Sequence, residues 1–148
     1  LFPGAQSGDI KARRTTNRLM FNTRILNPAV LSLLAHVRHT NTLVIADRAF
    51  PCWPRVETVD LSLTENVPTV VQVLAALRPD FRIGTAYMAR EFKKANDTNT
   101  RLQFAQALAG VAVRFEPHVN LKLRVPNAIG LIRTGDMTSY GNVVLVSG

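Results

Sequence analysis

The run Thr42 to Ala46 (TLVIA) constrains this chain most. It is five residues long, rich in Val and Ile, and bounded by Arg38-His39-Thr40-Asn41 on one side and Asp47 on the other. A run so short and so sharply bounded reads as a buried β-strand, because an amphipathic helix needs a longer pattern with a 3.6-residue period. The strand would end in a carboxylate, Asp47, and begin after a histidine, His39. Open α/β sheets bind ligands beyond the carboxyl ends of their strands. Asp47 therefore marks the candidate centre of a site.

The flanking elements follow from caps and periodicity. Asn27-Pro28 opens a helix, with Asn as cap and Pro at the first helical position, and PAVLSLLAHV carries it to about Val37 with Val30, Leu31, Leu34 and Val37 on its apolar face. Pro51 and Pro54 pin a loop from Asp47 to Pro54 in which Phe50 and Trp53 read as packing or interface anchors. Val56 to Asp60 is a short strand, Pro68 to about Leu77 a helix, and Arg82 to about Tyr87 a third strand. Met88 to Ala95 and Asn99 to Ala109 read as helices. Asn120 to Arg124 (NLKLR) alternates with period two and reads as a half-buried strand. Ile129 to Arg133 and Asn142 to Val146 are two more strands, joined by turns at Thr134-Gly135-Asp136 and Tyr140-Gly141-Asn142 and expected to form an antiparallel hairpin. Helices alternating with short strands, without an internal repeat, predict one α/β domain: a mostly parallel sheet of about six strands, parallel at its centre, with helices on both faces.

Composition narrows the function classes. At 148 residues, 47% of them hydrophobic, the chain can bury one core. No run approaches the roughly 20 apolar residues of a membrane span. The lone Cys52 excludes an internal disulfide framework and suits a reducing compartment, so a cytoplasmic location is expected. Scattered His, Asp and Glu offer no metal-ligand spacing, and no phosphate-cradling glycine loop or serine nucleophile elbow is present. The net charge of +8 is uneven: residues 1–24 carry Lys11, Arg13, Arg14, Arg18 and Arg24 against Asp9, and residues 25–148 carry 13 basic and 9 acidic residues. Residues 1–24 are expected to be an irregular basic arm, solvated rather than bound to nucleic acid. The Arg13-Arg14 pair and the acid-poor composition resemble export or organelle leaders only weakly, since no adequate apolar stretch follows.

Four spaced motifs, ILNPAVLSLLAHVRHTNTLVIADRAFP, VDLSLTENVPTVVQVL, AREFKKAN and IRTGDMTSYGNVVL, occur in an order that resembles the RbsD/FucU family of D-ribose pyranases and L-fucose mutarotases. The resemblance covers residues 25–148 and is closer to the ribose branch. It implies an α/β fold, cofactor-independent interconversion of the ring forms of a free sugar, and a homo-oligomeric ring, commonly a decamer, with sites shared between neighbours. It also implies that His39 is the general acid and that Asp47, Tyr140 and Asn142 bind the sugar. The family has a further sugar-binding histidine, placed after the strand that matches Asn120–Arg124 and at the start of a helix. No His lies between Val119 and Ile129, and His118 precedes the expected strand. The segment around Pro126-Asn127 is therefore expected to be shortened by roughly ten residues, a change that surface segments tolerate.

The chemistry suits these residue types. Opening a sugar ring needs a proton delivered to the ring oxygen and another removed from the anomeric hydroxyl, and imidazole titrates in the right range for both. A carboxylate, an amide and a phenol can hold hydroxyls. A five-residue strand spans roughly 17 Å at ~3.3 Å per residue. His39 and Asp47 flank such a strand, so they are expected to serve two different sites, each completed by a neighbouring copy. A catalytically impaired relative, acting as a sugar-binding or ring-forming module, is the alternative expectation.

Overall fold

A computed structural model describes residues 23–148. The expected basic arm lies outside the described residues apart from Thr23 and Arg24, which already belong to the domain: the Thr23 hydroxyl donates to Asp80 Oδ2 at 2.7 Å. The elements are α1 (Pro28–His36), β1 (Thr42–Ala46), β2 (Thr58–Asp60), α2 (Val70–Leu77), β3 (Ile83–Ala89), α3 (Glu91–Ala95), α4 (Thr98–Ala107), β4 (Ala112–Glu116), α5 (His118–Arg124), β5 (Gly130–Arg133) and β6 (Val143–Ser147). A 3-10 turn, Val125–Asn127, links α5 to β5.

Local chemistry accounts for the helix starts. Asn27 caps α1, its Oδ1 accepting from Ala29 N and Val30 N, with Pro28 in the first turn. Thr69 and Gln72 form a reciprocal capping box on α2, so this helix starts two residues after Pro68. Asp97 caps α4.

One six-stranded sheet in the order β2-β5-β1-β6-β3-β4 organises the domain. The pairings β2–β5, β5–β1 and β3–β4 are parallel, and β6 runs antiparallel to both β1 and β3. Five strands thus point one way, as expected of a mostly parallel sheet, but the expected parallel centre is replaced by the lone reversed strand. The expected hairpin of the last two strands does not form either. Strand β1 lies between β5 and β6, and the 134–142 segment crosses over its carboxyl end, tied there by Thr134 N to Ala46 O at 3.0 Å and Arg48 N to Asp136 O at 3.0 Å.

Helices cover both faces. Leu43 and Ile45 of β1, Leu145 of β6 and Met88 of β3 pack with Val30 and Leu33 of α1, Val70, Leu74 and Leu77 of α2, and Phe104 of α4. Val44, Ala46, Val144 and Ala89 face the other way, against Leu121 of α5, Val125, Phe50 and Val56. Alternate residues of β1 enter opposite layers, and all four of its last residues are buried. Each fully buried Val, Leu or Ile contributes roughly 1.5–3 kcal/mol relative to exposure, so β1 is among the firmest parts of the core.

The segment Asn120–Arg124 is helical, contrary to the strand expected from its period of two. Leu121 and Val125 are fully buried, whereas Leu123 is 74% exposed. The true spacing is four, visible only when Val125 is included; five residues were too few to separate the periods. The strand in this region is β4, eight residues earlier than expected, and it leads through Pro117 into α5.

Gly135 turns the crossing segment against the 64–67 turn. A Cβ there would meet the backbone oxygens of Thr64 and Val67, which cannot swing aside as a flexible side chain could. Gly135→Ala is expected to lower the unfolding free energy by about 1–3 kcal/mol in urea titration, with the far-UV spectrum of the folded protein unchanged.

Candidate functional site

The topology collects chemistry on one edge. The carboxyl ends of β1, β5 and β4 lead into Asp47, Thr134 and His118, and reversed β6 brings its amino end, preceded by Asn142, to that same edge. Between them lies a cavity of about 380 Å³ lined by the 47–51 loop, His118 and the 136–142 segment. Asp47, Tyr140 and Asn142, all expected as sugar ligands, line it. So do Asp136 and Thr138.

Asp47 and Asn142 are buried, 6% and 2% exposed, and bind each other reciprocally. Asp47 N donates to Asn142 Oδ1 at 2.8 Å, and Asn142 Nδ2 donates to Asp47 Oδ2 at 3.1 Å. The other carboxylate oxygen accepts from Ala49 N at 3.0 Å. Burial pushes the Asp47 carboxyl above its ordinary range; N–H groups of Ala49 and Phe50 and the Asn142 amide pull it back, and the charge of Asp136 pushes it up again. Arg133 holds the same loop from outside, donating to the carbonyls of Asp47, Arg48 and Pro51 at 3.1–3.3 Å.

Asp136 has a supporting role. Its Oδ2 accepts from Val70 N at the start of α2, at 2.8 Å, and its Oδ1 from Thr138 N at 2.7 Å. It ties the crossing segment to the helix and so shapes the cavity wall. Tyr140 adopts a left-handed backbone, φ 56°, which turns the chain back toward β6 and leaves the residue 38% exposed beside the cavity.

His118 is the residue that sequence reasoning missed. It follows β4 and begins α5, the kind of place that the resemblance gives for a second sugar-binding histidine, and the segment around Pro126-Asn127 is a 3-10 turn between α5 and β5. The His118 imidazole stands edge-on to Tyr140, centroids 5.1 Å apart, and edge-on to Phe50 at 6.2 Å. Its Nδ1 is buried with no protein partner. Burial lowers its pKa below the ordinary 6.5, as does Lys122, while Glu91 and Asp47 oppose the shift. The imidazole is accordingly neutral at neutral pH, with one donor and one acceptor nitrogen.

His39 is not brought into this cavity within one chain. It is exposed and lies at the opposite edge of the sheet, where Thr40 N donates to Ser147 O at the far end of β6. The five residues of β1 separate it from Asp47. Phe50 is buried at 4% exposure and packs with Trp53 at 6.3 Å, an anchor that also walls the cavity. Among the described residues no group of three or more His, Cys, Asp or Glu could hold a metal ion, and no helix is long and apolar enough to cross a membrane.

The raised Asp47 pKa has a signed consequence for stability. Where the unfolded carboxyl has ionised and the folded one has not, the folded state binds more protons, so stability falls as pH rises from 3.8 through the folded value. Asp47→Asn is expected to flatten that part of the stability profile in urea melts taken across the acid range. Asn142→Ala leaves the Asp47 N–H and one carboxylate oxygen without their partner and is expected to cost about 1–3 kcal/mol in the same measurement.

Comparison with known proteins bears on the family and the fold. Residues 20–148 match the sequence profile of the RbsD / FucU transport protein family. A D-ribose pyranase of Chromobacterium violaceum is 39% identical over 123 residues, which are 83% of this chain and 93% of that protein. One from Limosilactobacillus fermentum is 34% identical over 129 residues, 87% of this chain and 98% of that one. Among solved structures, Bacillus subtilis RbsD complexed with D-ribose superposes with a TM-score of 0.78 at 31% identity, covering 84% of this chain and 94% of that one. A Streptococcus pneumoniae fucose mutarotase in complex with L-fucose shares the fold, with a TM-score of 0.71 at 14% identity over 82% of this chain and 92% of that one. With a profile match that spans all the described residues and relatives at 34% and 39% identity, the chain belongs to the RbsD/FucU family.

Proposed function

We propose that this protein is an intramolecular isomerase that interconverts the cyclic forms of a free, ribose-like monosaccharide without a cofactor. The observation that carries the reading is the convergence of Asp47, His118, Tyr140 and Asn142 on one edge cavity. These groups supply acceptors and donors for hydroxyls, with an imidazole neutral at working pH. Ribose is favoured over 6-deoxyhexoses by the higher identity to the D-ribose complex, 31% against 14% for the L-fucose complex.

The charges around the cavity favour an uncharged sugar over a sugar phosphate. Arg48 is paired with Glu65 at 2.9 Å, and the Arg133 guanidinium is committed to three backbone carbonyls. Asp47 and Asp136 would repel an anion. In the ring-opening step a proton passes to the ring oxygen while the anomeric hydroxyl loses one, and the aldehyde recloses in another form. Asp47 and Asn142 hold sugar hydroxyls, Tyr140 stacks and hydrogen-bonds at the rim, and His118 faces the sugar from α5.

His39 acts as the general acid of a neighbouring copy's site. Its exposure and its place at the opposite sheet edge support this division. Val119 and Leu123 on α5 are 63% and 74% exposed and Met137 is 43% exposed beside the cavity, an apolar rim for a second copy in a closed ring. The ring is a decamer by resemblance. The free, exposed thiol of Cys52 suits the cytoplasm. The place of His118 in the cavity favours turnover over a catalytically impaired sugar-binding or ring-forming module.

In saturation-transfer NMR the protein is expected to accelerate exchange between the ring forms of D-ribose, and His118→Ala or His39→Ala to abolish the acceleration. The wild-type rate is expected to fall on the acid side of pH 6.5 as His118 takes up its proton. Co-expression of His39→Ala with Asp47→Asn subunits, each inactive alone, is expected to restore activity at about a quarter of the sites, as random closure of a ring dictates. No acceleration with pentoses or 6-deoxyhexoses contradicts the activity, and mixed rings without recovery contradict the shared site.

A further inference from the structure

The parallel register of β3 and β4 sets Ala89 beside Glu116. Two residues beyond each partner stand Glu91 and His118, so the register brings the first residue of α3 to the first residue of α5. Arg90 N donates to Glu116 O at 2.8 Å, which carries the alignment past the ends of the strands. The Glu91 carboxylate then accepts the backbone N–H of His118, with Oε1 at 3.2 Å and Oε2 at 3.0 Å.

Helix α5 lacks a cap of its own. Its N-cap residue is Pro117, and no side chain within the helix's own start bonds the first turn. A carboxylate supplied by α3 satisfies one of the orphan N–H groups and complements the positive end of the helix. The residue so pinned is the one that carries the imidazole. Tyr140 and Phe50 flank its ring edge-on at 5.1 and 6.2 Å. The backbone of His118 is thus held from one side and its side chain is clasped from the other. Glu91 itself does not line the cavity.

The charges acting on the imidazole come from several elements. Lys122 lies one turn further along α5 and opposes a proton on the ring. Glu91 from α3 and Asp47 from the end of β1 favour one. The Tyr140 phenol faces the ring from the crossing segment, and Asp136 lines the same cavity.

We propose that Glu91 is a positioning residue for the reaction: its carboxylate fixes the backbone from which His118 meets the sugar and holds negative charge behind the imidazole. This rests on the reading of the cavity as a sugar site. Removing the carboxylate frees the first turn of α5 and withdraws one of the two negative charges that favour a protonated ring.

The test pairs Glu91→Gln, which keeps an acceptor without the charge, with Glu91→Ala, which removes both. NMR titration of the His118 ring is expected to show its midpoint moved to lower pH in both variants. In D-ribose exchange kinetics Glu91→Gln is expected to stay within about twofold of wild-type KM, and Glu91→Ala to raise KM roughly three- to tenfold with a smaller change in kcat. A His118 midpoint and a KM unchanged in both variants overturn the proposal, even if the melting temperature drops, because a merely structural cap would move only the latter. A wild-type protein without exchange activity defeats the sugar reading instead, and the His118 midpoint then still decides whether Glu91 acts on the imidazole.

Discussion

The reciprocal hydrogen bonds between Asp47 and Asn142 join residues 95 apart in sequence, and the site depends on them. They close the seam between β1 and the reversed strand β6 at the edge where the other strands end. Both side chains are buried, so each needs the other: an unpaired buried amide or carboxylate would cost more than the pair gains over water. The same seam requires the 134–142 segment to cross the end of β1. That crossing carries Asp136 to the start of α2 and Tyr140 to the rim of the cavity. Topology and site are thus one arrangement. A sheet with β6 in the common direction would put Asn142 at the other edge.

The two edges of the sheet differ in kind. The carboxyl edge is concave and buries its polar groups, with His118 held in neutral form. The opposite edge carries an exposed histidine on a left-handed turn, Thr40 at φ 68°. Among the described residues nothing bridges the roughly 17 Å of strand between them at ~3.3 Å per residue. In the proposed reaction, which uses both histidines, one is borrowed from a neighbouring copy, and assembly is then part of the catalytic apparatus rather than a matter of stability alone.

Much of this was legible in the sequence where the signal was local. The cap at Asn27 and the strand bounded by Asn41 and Asp47 need only neighbouring residues to be recognised, and they emerged as read. Asp47, Tyr140 and Asn142 became site residues through motif resemblance, and the fold brings all three to one cavity. The place of β6 was not legible, because strand order is set by long-range pairing that a short connection between β5 and β6 disguises as a hairpin. His118 was hidden by the misread helix beside it. Its signal was present nonetheless: Leu121 and Val125 at spacing four, with Pro117 before a histidine, mark a helix start rather than a strand. Residues 1–22, expected to form most of the basic arm, lie outside the described residues.

The most direct measurement is a crystal structure of the full-length protein grown with D-ribose. The account predicts sugar in the edge cavity, its hydroxyls bonded to Asp47 and Asn142, the His118 ring against it, and His39 of a neighbouring copy reaching the ring oxygen. Sugar bound elsewhere on the chain, or bound in the cavity with every neighbour's His39 remote from it, would contradict the account.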